Sequence, residues 1–333
     1  MTCNEREFLV LPLRTRRALE EAPRAGTGRA GKSMMKISRV VLCRPLGGLN
    51  DVLCQIGIVC RYAEKFDRSI IVDTNHHSTS YIKDHFSRYF ISKQERLVLN
   101  LIEVESKLKN VGVVPHFLSN DLLRYDVKFD WDRGYFVESN TGQPVTFDFT
   151  KDYTEPLLVH HMSGRQHGAS LAALSKLRLQ TNLRDELTKR LSSINSNYVA
   201  VHIRNTDYKT NYQSLLNQLK HHNAMRDCEN LFVATDDIAC LEYCRHLFTG
   251  INVISFSKLP QESGLPIHRL SERDDIYERN KDAILDLLML ALSRNLFFLE
   301  INQNQWGARY SGFSILALDL RNSATVLKGL IEG

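Results

Sequence analysis

The sequence has no apolar run of the roughly 18 to 20 residues that a membrane-spanning helix needs. Its nearest approach, AILDLLMLALSRNLFFLEI, is interrupted by Asp286, Arg294 and Glu300 and reads as a helix followed by a strand. Net charge is also small. Lys and Arg total 43 against 38 Asp and Glu, and residues 1–35 alone hold seven Lys and Arg against four Glu. The remainder is close to neutral, which excludes an extended nucleic-acid surface. A disulfide framework is missing too. The seven cysteines (Cys3, Cys43, Cys54, Cys60, Cys228, Cys240, Cys244) are odd in number and without repeated spacing, as expected of reduced thiols in a cytoplasmic protein. Cys240 and Cys244 share a helix face, but His246 points elsewhere and no third or fourth ligand is in view, so no metal is expected. The Gly-rich stretch GGLND (Gly47–Asp51) is neither a G-x-G-x-x-G fingerprint nor a Walker pattern.

What remains is ordinary globular material, 43% hydrophobic and 24% charged over 333 residues, enough for about two domains. Residues 1–34, Arg-rich and without periodicity, read as a disordered basic tail. From residue 35 the pattern is strand (SRVVLC), Pro/Gly turn (RPLGGLN), helix (DVLCQIGIVCRYAEKF) and strand (SIIVDT). Residues 76–165 are irregular, and Ser170–Ile194 reads as one long helix. Beyond it, strands YVAVHIR, NLFVAT, NVISFS and LFFLEI alternate with helical segments of 10 to 15 residues. That alternation predicts an α/β fold with doubly wound parallel sheets. The division expected is 35–175 for an N-terminal domain and 176–333 for a C-terminal one.

In parallel α/β domains ligands gather at the carboxyl ends of strands. Gly47, Gly48, Asn50 and Asp51 fall there after the first strand, and His202 to Asp207 after VAVHI. Asp236 and Asp237 follow LFVA, and Ser311, Gly312, Phe313 and Ser314 follow the last strand. Two readings of Arg204 stand: its guanidinium fork meets a phosphate, or it pairs with Asp207 or another carboxylate. Ser311 opens either an anion-binding helix N-terminus or an ordinary cap. The GGLND turn either lets backbone approach a ligand closely or is merely a tight turn. Asp236 and Asp237 are a metal-holding acid pair or a helix cap. Asp286, in an apolar helix, must be paired, turned to solvent, or accept hydrogen bonds from donors such as those of guanine. The pairs His76–His77, His160–His161 and His221–His222 lack metal-ligand spacing and read as surface or loop residues.

In order, GGLND, HIRNTD, FVATDD, AILDLLML and SGFS resemble the α1,2-/α1,6-/protein O-fucosyltransferase superfamily, and within it the α1,6-fucosyltransferases of the nodulation-factor type. The resemblance implies a GT-B fold, two Rossmann-like domains facing a central cleft, with the acceptor on the N-terminal side. It implies inverting transfer of fucose from GDP-fucose to a glycan or glycoconjugate hydroxyl, with no metal. A different GDP-sugar, or a nucleotide- or glycan-binding protein of the same fold without turnover, is the alternative. Carried over, Arg204 holds the β-phosphate, His202 and Asp286 contact the nucleoside, and Asp237 or Asp236 supports that pocket. Ser311 donates to the diphosphate and the Gly47–Asn50 turn approaches the donor. Asn205 stands where the α1,6-fucosyltransferases often carry a second arginine, and YKTNYQ holds no glutamate where their animal members, the core-fucosylation enzymes, have one. The acceptor hydroxyl needs deprotonation only late, so transfer can proceed without a strong base; if one exists, Asp51 is the candidate and Asp207 the second.

Overall fold

The computed structural model describes residues 11–12, 39–78, 81–108, 111–119, 122–195, 197–261, 275–303 and 308–332. They group into two compact units, Leu19–Gln180 with Thr325–Gly333, and Met1–Ala18 with Thr181–Ala324.

The first unit is built on five parallel strands: β1 (Val40–Cys43), β2 (Ser69–Val72), β3 (Leu97–Val98), β4 (Val113–Val114) and β5 (Leu157–His160). Their spatial order is β3-β2-β1-β5-β4. Every residue of β1, β2 and β5 is buried, the unbroken apolar pattern of strands covered on both faces. Helix α1 (Leu49–Lys65) follows β1 and packs on α2 (Ala169–Leu174) at Gly57. The irregular stretch contains short turns of 3-10 helix and one antiparallel hairpin, Val127–Asp130 with Tyr135–Glu138.

The long helix expected over Ser170–Ile194 is two helices. Between α2 and α3 (Thr181–Ile194) the strand Leu177–Leu179 pairs antiparallel with Phe90–Ser92. Leu177 and Leu179 are fully buried with Arg178 between them, a two-residue alternation that only the partner strand makes decisive. That pairing ties residues up to Gln180 to the first unit, so the division falls after residue 180 rather than 175.

In the second unit, β6 (Val199–Ile203), β7 (Asn230–Thr235), β8 (Asn252–Ile254) and β9 (Asn295–Phe298) lie parallel, in the order β9-β6-β7-β8. Between them run α4 (Tyr212–Lys220), α5 (Ile238–Leu247) and α6 (Ile276–Leu292), and α7 (Gly312–Asn322) follows. Most of the expected tail lies outside the described residues. Leu11–Pro12 do not, and they extend the sheet antiparallel to β9, whose edge offers unpaired backbone groups. Among the described residues no helix is long and apolar enough to cross a membrane. The six cysteines among the described residues are free and buried. Burial pushes the Cys60 and Cys244 thiols up to about 12, so they behave as small apolar residues.

Candidate functional site

Strand order reverses direction at β6 in the second unit: the chain passes to β7 and β8 on one side and returns as β9 on the other. A topological switch point opens a crevice at the carboxyl end of such a strand. In register there, Ile203 lies beside Thr235, and His202 between Ala234 and Phe298. The residues that follow β6 and β7 therefore converge.

Arg204 is clamped rather than free. Nη1 meets Asp236 Oδ2 at 2.8 Å and Nη2 meets Asp207 Oδ1 at 2.5 Å, with 23% of the side chain exposed. The Tyr208 ring lies 5.7 Å from the guanidinium carbon. Carboxylate pairing, one of the two readings of Arg204, is what the second unit holds. Asp236 is buried and also accepts from the Asn205 amide at 2.8 Å and the Thr206 hydroxyl at 2.5 Å. Asp237 accepts from the Asn205 side-chain amide at 2.9 Å and caps α5 through Ala239 N–H at 3.0 Å, so the cap reading of this acid pair also holds. Asn205 is the hub that the sequence did not reveal. Besides these bonds, its Oδ1 accepts from Thr210 N–H and its carbonyl from Lys209 Nζ. A guanidinium has no acceptor and could not take that place.

His202 Nδ1 lies 2.7 Å from the Ser314 hydroxyl, and its ring packs 5.1 Å from Phe313. Burial, then the Arg204 charge, lowers its pKa to about 3, so the ring is neutral at ordinary pH and adds no charge. Ser311 caps α7, accepting from Phe313 N–H at 3.3 Å, and Gly312 opens the helix buried. His202, Arg204, Asp207, Asp236 and Asp237, with the start of α7, thus form one linked cluster.

Asp286 sits in a different cluster. Its carboxylate, buried on α6, accepts from Ser257 Oγ at 2.6 Å and Arg190 Nη1 at 3.2 Å. Arg190 also pairs with Asp282 and stacks 5.0 Å over Phe256. Burial raises the Asp286 pKa from 3.8 to about 7, opposed by Ser257 and Arg190. A carboxyl whose pKa is raised by folding stabilises the fold below its unfolded pKa, and that contribution is lost as pH rises through the folded value. Wild type is therefore expected to lose stability relative to Asp286→Asn between pH about 4 and 7, by a few kcal/mol, with no further change above. Urea midpoints measured across that range check it.

The remaining candidates belong to the first unit. Gly47 has φ of +97° and begins the turn into α1; a Cβ there would lie 2.9 Å from Asp51 Cβ, so glycine is required. Asn50 is buried, facing the Cys54 thiol at 3.8 Å, and Gly48 stands at the helix N-cap position. Asp51 is engaged by Arg165 Nε at 3.0 Å. The base candidates Asp51 and Asp207 are thus each tied to an arginine.

Sequence reading gave the histidine pairs as surface or loop residues; His76–His77 do lie in a loop and His221–His222 just beyond α4, whereas His160 and His161 are buried at the end of β5. His160 Nε2 meets Gln55 Oε1 at 2.7 Å, and His161 lies between the Tyr125 hydroxyl and the Ser78 carbonyl, each at 3.0 Å. Arg44, 1% exposed, pairs with Asp73 at 2.9 Å. The signal was present: VVLCR ends on a cation as VAVHIR does, and LLVHH closes a strand next to it.

No family model matches the sequence, and no curated protein matches it. Solved NodZ structures share the fold. Fucosyltransferase NodZ from Bradyrhizobium is 14% identical, with 84% of this chain and 91% of that chain covered and a TM-score of 0.55. NodZ α-1,6-fucosyltransferase soaked with GDP-fucose gives 14%, 84%, 91% and 0.54. POFUT1 in complex with GDP-fucose gives 13%, 86%, 94% and 0.49. The α/β fold with parallel sheets is that of the NodZ structures.

Proposed function

We propose that the chain is an inverting glycosyltransferase of GT-B type that moves fucose from GDP-fucose to a glycan or glycoconjugate hydroxyl. The carrying observation is Arg204 at the switch point of the second unit's sheet. Its position is fixed from beneath by buried Asp236, while Asp207 covers it from the solvent side. In this reading the β-phosphate displaces exposed Asp207 and keeps Asp236 as the anchor, so the guanidinium is preoriented for the charge that builds on the departing oxygen. The α7 N-terminus at Ser311 and Gly312 supplies N–H groups to the same diphosphate. Neutral His202 contacts the nucleoside, whereas Asp286, with its oxygens on Ser257 and Arg190, has no part in this pocket. Asp236 and Asp237 spend their oxygens on Arg204, Asn205, Thr206 and a helix cap, which supports donor binding without a divalent cation.

Thermal stabilisation by GDP, UDP, ADP and CMP in the presence of EDTA tests this. GDP at about 100 times its dissociation constant is expected to add about 2.7 kcal/mol, the others little. Equal response to all four, or to none, would defeat the assignment. A second reading, a nucleotide-binding protein of this fold without turnover, is favoured by the double carboxylate clamp on Arg204 and by Asn205 in place of a second arginine. GDP release from GDP-fucose with an acceptor panel separates the two, and GDP-mannose alongside tests the sugar.

A further inference from the structure

Arg204 faces two carboxylates, and they are held in different ways. Asp236, at the end of β7, is 5% exposed and takes three donors: Arg204 Nη1 at 2.8 Å, the Asn205 amide at 2.8 Å and the Thr206 hydroxyl at 2.5 Å. Asp207 is an exposed residue of the loop itself, and among the described residues its partners all lie between positions 204 and 208. Arg204 Nη2 at 2.5 Å, Tyr208 N–H at 3.1 Å and the Thr206 hydroxyl at 3.4 Å share one of its oxygens, Oδ1. We infer that Asp207 is a built-in competitor for the phosphate position on Arg204 and a specificity residue, selecting a nucleoside diphosphate over a monophosphate. This rests on the donor-binding reading above and lies wholly within the second unit.

The two carboxylates differ in what their departure costs. Moving Asp236 would strand buried donors and leave Arg204 without its inner anchor. Moving Asp207 strands none. The Thr206 hydroxyl keeps its shorter bond to Asp236, and the bond to Tyr208 N–H is exposed, so water takes the carboxylate's place. An ion pair spanning three residues of one exposed loop has ordinary surface strength.

While both carboxylates are in place, one guanidinium charge is answered by two negative ones, and a further anion is repelled. With Asp207 swung out, Nη1 stays on Asp236 and Nη2 faces outward, so a phosphate oxygen can replace Oδ1 in a charge-assisted bond. Only molecules in that open form bind, which weakens apparent affinity by the open fraction. When the nucleotide leaves, the carboxylate returns, so the residue that weakens binding also hastens release. A nucleotide that ends at its first phosphate does not reach Arg204 in the donor reading and is indifferent to Asp207.

Calorimetric dissociation constants for GDP, GMP and inorganic pyrophosphate test this on the full chain, as wild type, Asp207→Asn and Asp207→Ala. Both variants are expected to bind GDP and pyrophosphate about 5- to 10-fold more tightly, with GMP within about twofold of wild type. GDP affinity unchanged or weakened in both variants overturns the inference and leaves nucleotide binding intact. Equal tightening of GDP and GMP also overturns it, because a general gain of positive charge would act on both. So does a loss of kcat of about 100-fold in both variants without tighter GDP, the behaviour of a general base. Wild type that binds no GDP, but pyrophosphate more weakly than the variants do, removes the transferase reading and keeps the competitor. Binding of neither ligand by any of these proteins overturns both.

Discussion

Replacing Arg204 by alanine is expected to cut fucose transfer about 100- to 1,000-fold, the loss that follows removal of one preorganised donor from a developing oxyanion. Measuring GDP release from GDP-fucose checks it. The alanine variant also leaves Asp236 buried among its remaining donors without a cation, so part of the loss could come from the fold. Arg204→Lys separates the two. A lysine keeps the charge beside Asp236, but its single ammonium cannot hold Asp236 and a phosphate together as a planar fork does. Unfolding temperature should stay near wild type in the lysine variant while most turnover is lost. Full activity in Arg204→Lys would reduce Arg204 to a structural tie between β6 and β7.

The second large effect concerns the first unit. Gly57→Ala would put a Cβ 1.9 Å from the Ala169 carbonyl oxygen and 2.7 Å from its carbon. Those are backbone atoms at the start of α2, so no rotamer change relieves the contact and the helices must separate. A cost of about 3 kcal/mol or more is expected, the upper end for overpacking. Urea denaturation followed by far-ultraviolet circular dichroism should show it. Gly112→Ala, where the nearest atom would be Pro156 Cδ at 3.6 Å, is the matched control and should be close to neutral. Equal stability of Gly57→Ala and wild type would mean that α1 and α2 pack less closely than their backbones indicate.

Much of the scaffold was legible because it depends on neighbours along the chain. VVLC, SIIV, VAVHI and LFVAT read as buried parallel strands because both of their faces are covered, which leaves an unbroken apolar run; LLVH has the same pattern but lay unread in the irregular stretch 76–165. The switch-point rule then gathered His202, Arg204, Asp236, Asp237 and Ser311 without any coordinates. Leu177–Leu179 was not legible, since three alternating residues beside a helix cannot announce the strand Phe90–Ser92, more than eighty residues away, that pairs with them. The His160–His161 pair was misplaced for a related reason. A histidine beside a polar loop looks exposed until Tyr125, Gln55 and Ser78 arrive from elsewhere.

By itself the sequence determined the first strand-helix-strand of the first unit, the alternating strands and helices of the second, and the strand ends at which chemistry would collect. Tertiary structure alone decided what each side chain holds: Arg204 between Asp207 and Asp236, Asp51 against Arg165, Asp286 against Arg190, His77 against Asp126. Periodicity and burial are properties of a dozen consecutive residues, whereas most of these ion pairs join groups about 30 to 115 positions apart. Such groups meet only when strands and loops come side by side, and which partner a charge takes then depends on distances that no local pattern encodes.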